Sequence, residues 1–446
     1  MSNSSFSYSR DTLKQITRDI LEQALKQGAS ACEAEVSEGF GQSVTVRHDE
    51  VETIEYNRDK GLGVTVYIGK QRGYASTSDL TATAIHDTVK AALSIAKFTA
   101  SDEFSGLADE ALLAKEAPDL DLYHPWGQSV EDAIEQAKAC EAAAFAVDER
   151  INNSEGATVG TMESQFIYGN SLGFINGYSS SRHSISCAMI AESDHGMQRD
   201  YWYTTSRDAA DLDNARNVGL LAGQRTVRRL DARKIPTMQV PVLYESSLAS
   251  GLMSHFVSAV SGGSLYRKSS FLLDSLGQEI FAPLVQIKEM PHLVKGLASS
   301  PFDNEGVATH TRDVVTNGVL QGYFLGSYSA RKLGMTTTGN AGGNHNLIMS
   351  STGQDFAQLL KMMDKGLLVT ELLGQGVNPV TGDYSRGAAG FWVEHGEIQY
   401  AVEEITIAGN LKDMFRNIVA VGNDVQLRGS KQCGSILVER MTVAGE

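Results

Sequence analysis

Between residues 31 and 68, apolar and polar side chains alternate in short runs with the two-residue period of a β-strand. The runs cover residues 31–38, 42–48, 51–56 and 61–68, and turn-forming residues separate them at 39–41 and 57–59. Residues 11–27, just before them, place their apolar side chains on one helical face and are followed by Gly28, a residue suited to end a helix. The pattern predicts an antiparallel meander with a helix packed on one face.

The remainder of the first half also combines helices with strands. Capping residues and periodicity predict helices at residues 79–98 and 129–148. Residues 99–128, between them, are acidic and rich in turn formers, which predicts a long surface connection or a mobile flap. Strand patterns return over residues 154–207, and residues 208–230 have helical periodicity.

A basic stretch at residues 225–234, followed by Ile235-Pro236, is interpreted as a boundary between two domains, residues 1–235 and 236–446. A chain of 446 residues is long enough for two domains with sizeable cores. The predicted fold class is α+β, with each domain a largely antiparallel sheet that has helices packed on a face.

The second domain is predicted to begin with a short buried strand at residues 239–243 and a helix at residues 245–260. Two hairpins are predicted further along, with turns at Asn317-Gly318 and His395-Gly396. These residue types tolerate the positive φ that a tight hairpin turn requires.

Composition excludes several classes of protein. Lys and Arg number 38 against 54 Asp and Glu, a net charge of −16, which disfavours direct contact with nucleic acid. Residues 1–10 are polar and lack a leader pattern, and no stretch reaches the roughly 18 apolar residues of a membrane span. We therefore expect a cytoplasmic protein without a membrane partner. The four cysteines are far apart and form no Cys-x-x-Cys pair, so we expect reduced thiols.

Local catalytic motifs are weak. Residues 169–173 match Gly-x-Ser-x-Gly, but the residues after them have a strand pattern where a nucleophile elbow needs a helix, so a hairpin turn is favoured. The ten histidines include no His-Glu-x-x-His. No glycine-rich phosphate loop is present.

Clusters of small residues remain at 303–306, 329–331, 338–342 and 385–390. Glycine and alanine allow another backbone to approach closely, as when an extended peptide adds to a sheet edge. Packing of tight turns is the alternative. The candidate substrate-binding residues are Gly339, Asn340, Gly387, Ala388 and Ala389.

Taken together and in this order, residues 302–306, 317–323, 329–340 and 421–424, followed by Cys433-Gly434, resemble the TldD/TldE (PmbA) family of peptidase-like proteins, most closely its TldE/PmbA branch. The resemblance covers nearly the whole chain. It implies a cytosolic system that cleaves peptides or unfolded segments, including processing in peptide maturation. In that system a TldD-type zinc-bearing subunit pairs with a TldE-type subunit.

The TldD-type subunit carries His-Glu-x-x-x-His on the helix that opens its C-terminal domain, and a downstream cysteine completes the zinc ligands. Here Glu245 and Ser250 stand at the histidine positions, Ser246 replaces the glutamate that acts as general base, and only Cys433 is kept. One thiolate and one carboxylate form a weak zinc set. The resemblance therefore implies a degenerate site with no catalytic residue and no metal of its own, with zinc in the partner subunit.

The expected function is that of a non-metal subunit that completes the substrate chamber of a metalloprotease, with an extended peptide as ligand. Two alternatives remain open. One is a metalloprotease in its own right that uses Cys433, Glu245 and a distant histidine such as His255. The other is a metal-free peptide-binding or regulatory homodimer, in line with descriptions of the family as modulators of DNA gyrase.

Overall fold

A computed structural model describes residues 6–445, so residues 1–5 of the predicted polar N-terminus and residue 446 lie outside the described part. The N-terminal unit contains eleven helices and strands: α1 (Arg10–Lys26), β1 (Ala31–Arg47), β2 (Glu50–Ile68), β3 (Gln71–Thr77), α2 (Ala82–Phe98), α3 (Val130–Phe145), β4 (Ile151–Asn170), β5 (Ile175–Asn176), β6 (Ser179–Ser193), β7 (Gly196–Ser206) and α4 (Ala215–Val227). Its strands form one antiparallel sheet in the order β3-β2-β1-β4-β6-β7, with β5 beside β4.

Helices cover one face of this sheet in two pairs. The helices α1 and α2 bury apolar side chains such as Leu13, Ile20 and Val89 against β1 and β2. The helices α3 and α4 do the same, through residues such as Cys140 and Val218, over β1, β4 and β6. Ser9 and Ser129 cap α1 and α3 by accepting hydrogen bonds from backbone N–H groups in the first turn.

The predicted meander of four short strands is wrong in its number of strands. β1 and β2 run without interruption through the expected turns at 39–41 and 57–59. β1 is hydrogen-bonded to β2 on one side and to β4 on the other, so the ladder overrides the turn preference of Gly39 and Gly41. From Glu50 to Lys60, β2 pairs with β1 alone and every residue is exposed.

The connection at 99–128 is tied to both units and is not a free flap. Arg331, in the C-terminal unit, donates from Nη1 to Gly106 O at 3.1 Å and from Nη2 to Leu107 O. Tyr328 donates its hydroxyl to Asp102 Oδ2 at 2.7 Å. The surface-connection interpretation is the one that the structure supports.

The C-terminal unit follows from residue 238. Its elements are β8 (Met238–Tyr244), α5 (Ser246–Ala259), α6 (Gly262–Tyr266), β9 (Ile287–Glu289), β10 (Arg312–Thr316), β11 (Val319–Leu320), α7 (Ser327–Lys332), β12 (Leu347–Met349), α8 (Phe356–Met363), β13 (Gly366–Leu373), β14 (Asp383–Glu394), β15 (Glu397–Asn410), α9 (Leu411–Arg416), β16 (Ile418–Val421), β17 (Lys431–Gln432) and β18 (Ile436–Ala444).

Two sheets organise this unit. One has the order β15-β14-β13-β8-β18-β16, and a further pairing of β15 with β18 joins its strands into a closed ring. The other has the order β11-β10-β9-β12-β17. Only the β8–β13 and β12–β17 pairs are parallel among the described strands. The largely antiparallel α+β fold class is confirmed, whereas the division at residue 235 into independent domains stays a prediction.

The predicted turns are found where the residue types indicated them. Asn317 and Gly318 have φ of 49° and 77°, and His395 and Gly396 have φ of 56° and 72°. Residues 169–173 form the turn between β4 and β5, as favoured over a nucleophile elbow. All four cysteines are buried free thiols. Within residues 6–445, none of the helices combines the length and apolar character that a transmembrane span requires.

Candidate functional site

The first turn of α5 faces the segment that ends at Cys433. Ser246, Ser250 and Cys433 line one cavity of about 210 Å³, which we call the α5 pocket. The rest of its lining comes from α5, β7 and the segment before β18: Tyr203, Ser247, Ser254, Gln426, Arg428, Gly429, Ser430 and Lys431. Three of the four residues of the implied degenerate site are therefore brought together, although Cys433 is distant in sequence from the two serines.

The chain enters α5 directly from β8, one of the strands that form the ring. Glu245, between them, has extended backbone geometry, and its carbonyl accepts the first hydrogen bonds of the helix, from Leu248 N and Ala249 N. Ser246 N, one of the N–H groups that the helix itself leaves free, donates to Ser435 Oγ at 3.0 Å. The start of α5 is thus fixed on both sides, by β8 and by the segment that leads into β18.

The Glu245 side chain does not line the pocket. Its carboxylate accepts two hydrogen bonds from Arg225 Nη1, at 2.9 and 3.0 Å, and one from Arg228 Nη2 at 3.2 Å. Ser247 Oγ donates to it at 2.7 Å. Both arginines belong to the N-terminal unit, at the end of α4, so Glu245 is a link between the two units and not a free ligand.

Electrostatics keeps this cluster charged. Burial would raise the pKa of Glu245, but the charges of Arg225 and Arg228 outweigh it and lower that pKa below its usual range. Burial would lower the pKa of Arg225, but the negative charges of Glu245 and Asp200 outweigh this effect and raise it. The ion pair is therefore maintained near neutral pH.

Two further cations line the pocket itself. The guanidinium carbon Cζ of Arg428 lies 4.0 Å from the ring centroid of Trp202 and 4.1 Å from that of Tyr203. Its Nη2 donates to Tyr203 O at 2.7 Å. Lys431 Nζ contacts Ser430 Oγ at 3.4 Å. Burial lowers the pKa of both Arg428 and Lys431. Within residues 6–445, neither side chain forms an ion pair with a carboxylate.

Cys433 is only 2% exposed, and burial raises the pKa of its thiol to about 12, with a smaller contribution from the charge of Asp424. Asp424 accepts hydrogen bonds from Ser435 N at 2.8 Å and from Ser435 Oγ at 2.6 Å. The thiol is therefore protonated, whereas a zinc ligand or a nucleophile must be a thiolate. Packing is the role that this environment supports.

The residues of the α5 pocket do not fit a zinc ion. The Glu245 carboxylate already binds two arginines. The positive charges of Arg428 and Lys431, which line the pocket, would repel a zinc ion. His255 lies elsewhere, with its ring 6.0 Å from that of Tyr384, and does not line the pocket. In the described part of the chain, no three His, Cys, Asp or Glu side chains are grouped so that they could hold a metal.

A second cavity lies between the N-terminal sheet and the C-terminal unit, and we call it the inter-unit groove. Its volume is about 890 Å³. It is lined by the uncovered face of the sheet and by three residues of the C-terminal unit: Glu33, Ala34, Glu35, Ser37, Lys60, Gly61, Leu62, Gly63, Thr65, Arg72, Tyr74, Ser76, Thr77, Ser78, Tyr168, Asn304, Glu305 and Ala341. A neighbouring cavity of about 870 Å³ shares Glu33, Arg72 and Glu305 with it.

The groove contains a half-buried acid, Glu33. Glu33 accepts hydrogen bonds from Tyr67 OH at 3.0 Å and from Tyr168 OH at 2.8 Å. Burial raises its pKa, against the effect of these two donors. Glu305 accepts from Ser327 N at 2.8 Å, so the segment 303–306 supports the groove wall. The groove is wide, open and lined by both backbone and polar side chains.

Gly339 and Asn340 lie behind this groove. Gly339 has φ of 70°, and a Cβ atom there would be 2.8 Å from Ala308 O. Asn340 is buried, donates to Glu289 Oε1 at 2.8 Å and accepts from Arg312 Nη2 at 3.1 Å. The two residues hold the loop whose next residue, Ala341, lines the groove, so they support a ligand site only indirectly. Direct contact with a substrate stays an untested prediction.

Gly387, Ala388 and Ala389 lie in β14. This strand is paired with β13 at all three residues and with β15 at Gly387 and Ala388, and Ala389 lies in an irregularity between two β15 pairings. Their backbone groups are therefore used in the sheet, and a peptide cannot add as a strand next to them. The small side chains instead permit close packing, as for Gly390, where a Cβ atom would be 1.9 Å from Leu368 O.

The arginines that determine the chemistry of the site are absent from the residues predicted from sequence. Arg225 and Arg228 belong to the basic stretch that was interpreted as a domain boundary, and Arg428 carried no motif. The spacing of Arg225, Arg228 and Arg229 on the end of a predicted helix was the available signal, since residues three and four apart share a helical face.

Comparison with known proteins gives matches along most of the chain. Family models described as PmbA/TldA metallopeptidase domain 1, central domain and C-terminal domain match residues 32–96, 123–230 and 237–445. The chain is 52% identical to metalloprotease PmbA of Escherichia coli O157:H7, covering 96% of this chain and 97% of that protein. It is 49% identical to a metalloprotease PmbA homolog of Haemophilus influenzae, covering 97% and 96% respectively.

Two solved structures are similar in fold. A Bacteroides thetaiotaomicron protein, described as a candidate modulator of DNA gyrase, has a TM-score of 0.93 and 30% identity, with 98% of this chain and 100% of that chain covered. TldE from Thermococcus kodakarensis has a TM-score of 0.85 over 96% of this chain and 100% of its own. Its identity is 18%, so this second likeness concerns the fold alone.

Proposed function

Because the chain belongs to the PmbA/TldA metallopeptidase family, the TldD/TldE group, we propose that it is the subunit without zinc in a TldD/TldE-type metalloprotease. In this proposal it acts in the cytoplasm, where a zinc-bearing TldD-type subunit supplies the catalytic metal. The complex cleaves peptides or unfolded segments, including those processed in peptide maturation.

One observation carries the proposal. Glu245, at a position that holds a zinc-binding histidine in TldD-type subunits, is bound by Arg225 and Arg228. Removing this carboxylate from its arginines to coordinate a metal would leave the buried Arg225 with Asp200 as its one remaining counter-charge among the described residues, which is costly. Ser246, at the position of the general base, has no group that accepts a proton from water near neutral pH.

The inter-unit groove supports the part of the proposal that concerns peptides. Its volume of about 890 Å³ falls within the range of ligand sites, and its open form suits an extended chain. An extended peptide can form hydrogen bonds with exposed backbone and polar groups of the groove, whereas a folded protein has its backbone groups already paired. In this proposal the groove is one wall of the chamber and the partner subunit forms the other.

The outer edge of β2 is a candidate surface for that partner. Residues 50–60 have unpaired backbone groups on the side away from β1, and Val51, Ile54 and Tyr56 expose 42%, 44% and 57% of their surface. Long exposed edges with apolar side chains are usually covered in the assembled state. A related chain could cover this edge as an added strand.

The first test is the zinc content of the chain purified alone, measured by elemental mass spectrometry after exchange into metal-free buffer. We expect a value near zero. About one zinc per chain would contradict the proposal and favour a metalloprotease in its own right.

The second test measures peptide cleavage by a zinc-bearing TldD-type subunit with and without this chain. We expect the rate to rise when the chain is added. An unchanged rate, together with a failure to bind the TldD-type subunit, would favour the metal-free homodimer instead.

A further inference from the structure

The α5 pocket is lined by two cations that form no ion pair with a carboxylate of the described residues. Among its described lining residues, Arg428 and Lys431 are charged and no carboxylate is present. The two nearest carboxylates are already bound, Glu245 by Arg225, Arg228 and Ser247, and Asp424 by Ser435. The protein carries a net charge of −16, so these unpaired cations are a local reversal of its overall charge.

The donors of the pocket are fixed in position. The guanidinium of Arg428 packs on Trp202 and Tyr203, and its Nη2 donates to Tyr203 O. Its other N–H groups are available to donate to a ligand. The hydroxyls of Ser246 and Ser250 have no hydrogen-bond partner among the described residues, and both line the pocket. Buried or partly buried donors without partners are costly unless a ligand or water satisfies them.

The position of the pocket on α5 adds to this charge. Ser246, Ser247 and Ser250 lie in the first turns of a helix of 14 residues, where the helix dipole favours a negative group. Two cations, free hydroxyls and a helix N-terminus therefore converge on about 210 Å³. This set complements a compact oxyanion and opposes a metal cation.

We propose that the α5 pocket binds a carboxylate group of a peptide, in the simplest case the carboxylate at the C-terminus. Its volume suits a carboxylate with a small side chain and is smaller than the usual range for sites that take drug-sized ligands. Carboxylates form charge-assisted hydrogen bonds with Arg and Lys and accept from serine hydroxyls. At the place where zinc-bearing relatives hold a cation, this chain holds an anion.

The choice of a peptide as the source of the carboxylate rests on the proposed function. The binding of an oxyanion does not, since it follows from the charges and donors of the pocket alone. The experiment therefore uses the chain by itself, without a zinc-bearing subunit, so that its result is independent of whether this chain assists catalysis.

The test is calorimetric titration at low ionic strength with four probes. These are an N-acetylated tetrapeptide of small residues with a free C-terminus, its C-terminal amide, an amide peptide of the same length that contains one glutamate, and inorganic phosphate. We expect the first peptide to bind and its amide to bind at least about tenfold more weakly, because one charge-assisted contact is lost. Binding of the glutamate peptide would identify a side-chain carboxylate as the source.

Variants assign the binding to the pocket. Lys431→Met keeps the length of the side chain without its charge and is expected to weaken binding about tenfold, and Lys431→Arg is expected to restore most of it. Ser250→Val fills the pocket and is expected to weaken binding too. Lys412→Met, at an exposed lysine on α9, is the matched control and should bind like the wild type. Circular dichroism of each variant tests whether it has folded.

The proposal is overturned by any of three results. The first is that no carboxylate peptide binds to the folded wild type. The second is that phosphate binds and the carboxylate peptides do not. The third is equal affinity of the wild type and folded Lys431→Met for the peptides. A zinc content of about one per chain would refute the proposed function by a separate measurement, so the two failures can be told apart.

Discussion

Glu245 connects α4 to the start of α5, and a single oxygen of its carboxylate contacts both Arg225 and Arg228. Glu245 exposes 8% of its surface. Its carboxylate is therefore largely shielded from water. Charged pairs of this kind contribute little when complete, but removing one partner leaves the other charge buried and unpaired. The residue is therefore expected to be sensitive to changes that keep its shape and alter its charge.

We expect Glu245→Gln to lower the free energy of unfolding by about 2 kcal/mol, because the buried Arg225 loses one of its two counter-charges and keeps Asp200. Urea denaturation followed by circular dichroism measures this change. Glu439→Gln, at an exposed position of β18, is the control and should change stability by less than about 0.5 kcal/mol. A loss below about 1 kcal/mol in Glu245→Gln would mean that solvent screens the pair.

Glu289 gives a prediction about pH. Burial would raise its pKa, but hydrogen bonds from His345 and the charge of Arg312 lower it to about 2. A carboxyl group with a pKa lowered from 4.5 on folding stabilises the fold above about pH 4.5, and this contribution disappears as pH falls toward 2. We expect wild type to lose about 3 kcal/mol over this interval relative to Glu289→Gln. Unfolding by urea at several pH values measures the difference, and parallel pH profiles of the two proteins would contradict it.

At the scale of elements, some helix ends could be predicted and others could not: α2 begins at Ala82 and not at residue 79, and α4 covers Ala215–Val227 and not residues 208–230. Ser129 begins α3 and the segment around residue 27 ends α1, because local hydrogen bonds determine where a helix begins and ends. Strand ends were not predictable in the same way. β1 continues through Gly39 and Gly41 because its neighbours β2 and β4 supply hydrogen bonds on both sides, and neither neighbour is encoded locally.

The candidate site shows the same division. The chain positions of Ser246, Ser250 and Cys433 could be assigned from the resemblance, and the three residues line one pocket. The role of Glu245 could not be assigned, since its partners Arg225 and Arg228 lie in the other unit and reach it only through the packing of α4. The free charge on Arg428 and Lys431 is also a tertiary property, because it depends on which carboxylates are already bound.

The edge of β2 gives a prediction at this scale. We expect the double variant Ile54→Lys, Tyr56→Lys to weaken binding of a TldD-type subunit about tenfold, since two exposed apolar side chains would be charged at the proposed interface. Its own stability should change by less than about 1 kcal/mol, because both residues are exposed. Surface plasmon resonance measures the affinity. Phe98→Lys, at a side chain that is 89% exposed on α2, is the control. Unchanged affinity in the double variant would place the interface elsewhere.

At the scale of the whole molecule, contacts between residues far apart in sequence join the two units. Lys295 pairs with Asp208 at 2.7 Å, and Arg207 Nη2 donates to Leu297 O at 2.8 Å. Arg331 extends from α7 to the connection at 99–128. Composition and periodicity predicted two units but gave no information about these contacts, because each joins residues that are far apart in sequence.

We expect Arg331→Met to loosen the connection without unfolding either unit. Its guanidinium donates to the carbonyl oxygens of Phe104, Gly106 and Leu107. In the variant these oxygens would accept hydrogen bonds from water instead. Hydrogen exchange followed by mass spectrometry should increase several-fold within residues 102–112 and remain unchanged in β4 and β6. Lys361→Met, at an exposed lysine of α8, serves as the control. Faster exchange throughout the N-terminal sheet would mean that Arg331 supports the whole unit.

The ring of strands in the C-terminal unit has a kinetic consequence. β8 and β18 are neighbours in the ring although they are the first and last strands of the unit, with Tyr244 paired to Ile436. Pairings between such distant segments are slow to form, because nearly the whole unit must be closed into a loop before they are gained. The α5 pocket lies between the helix that follows β8 and the segment that precedes β18, so it cannot exist in a half-folded chain. Binding to the pocket therefore reports on whether the first and last strands of the unit have paired.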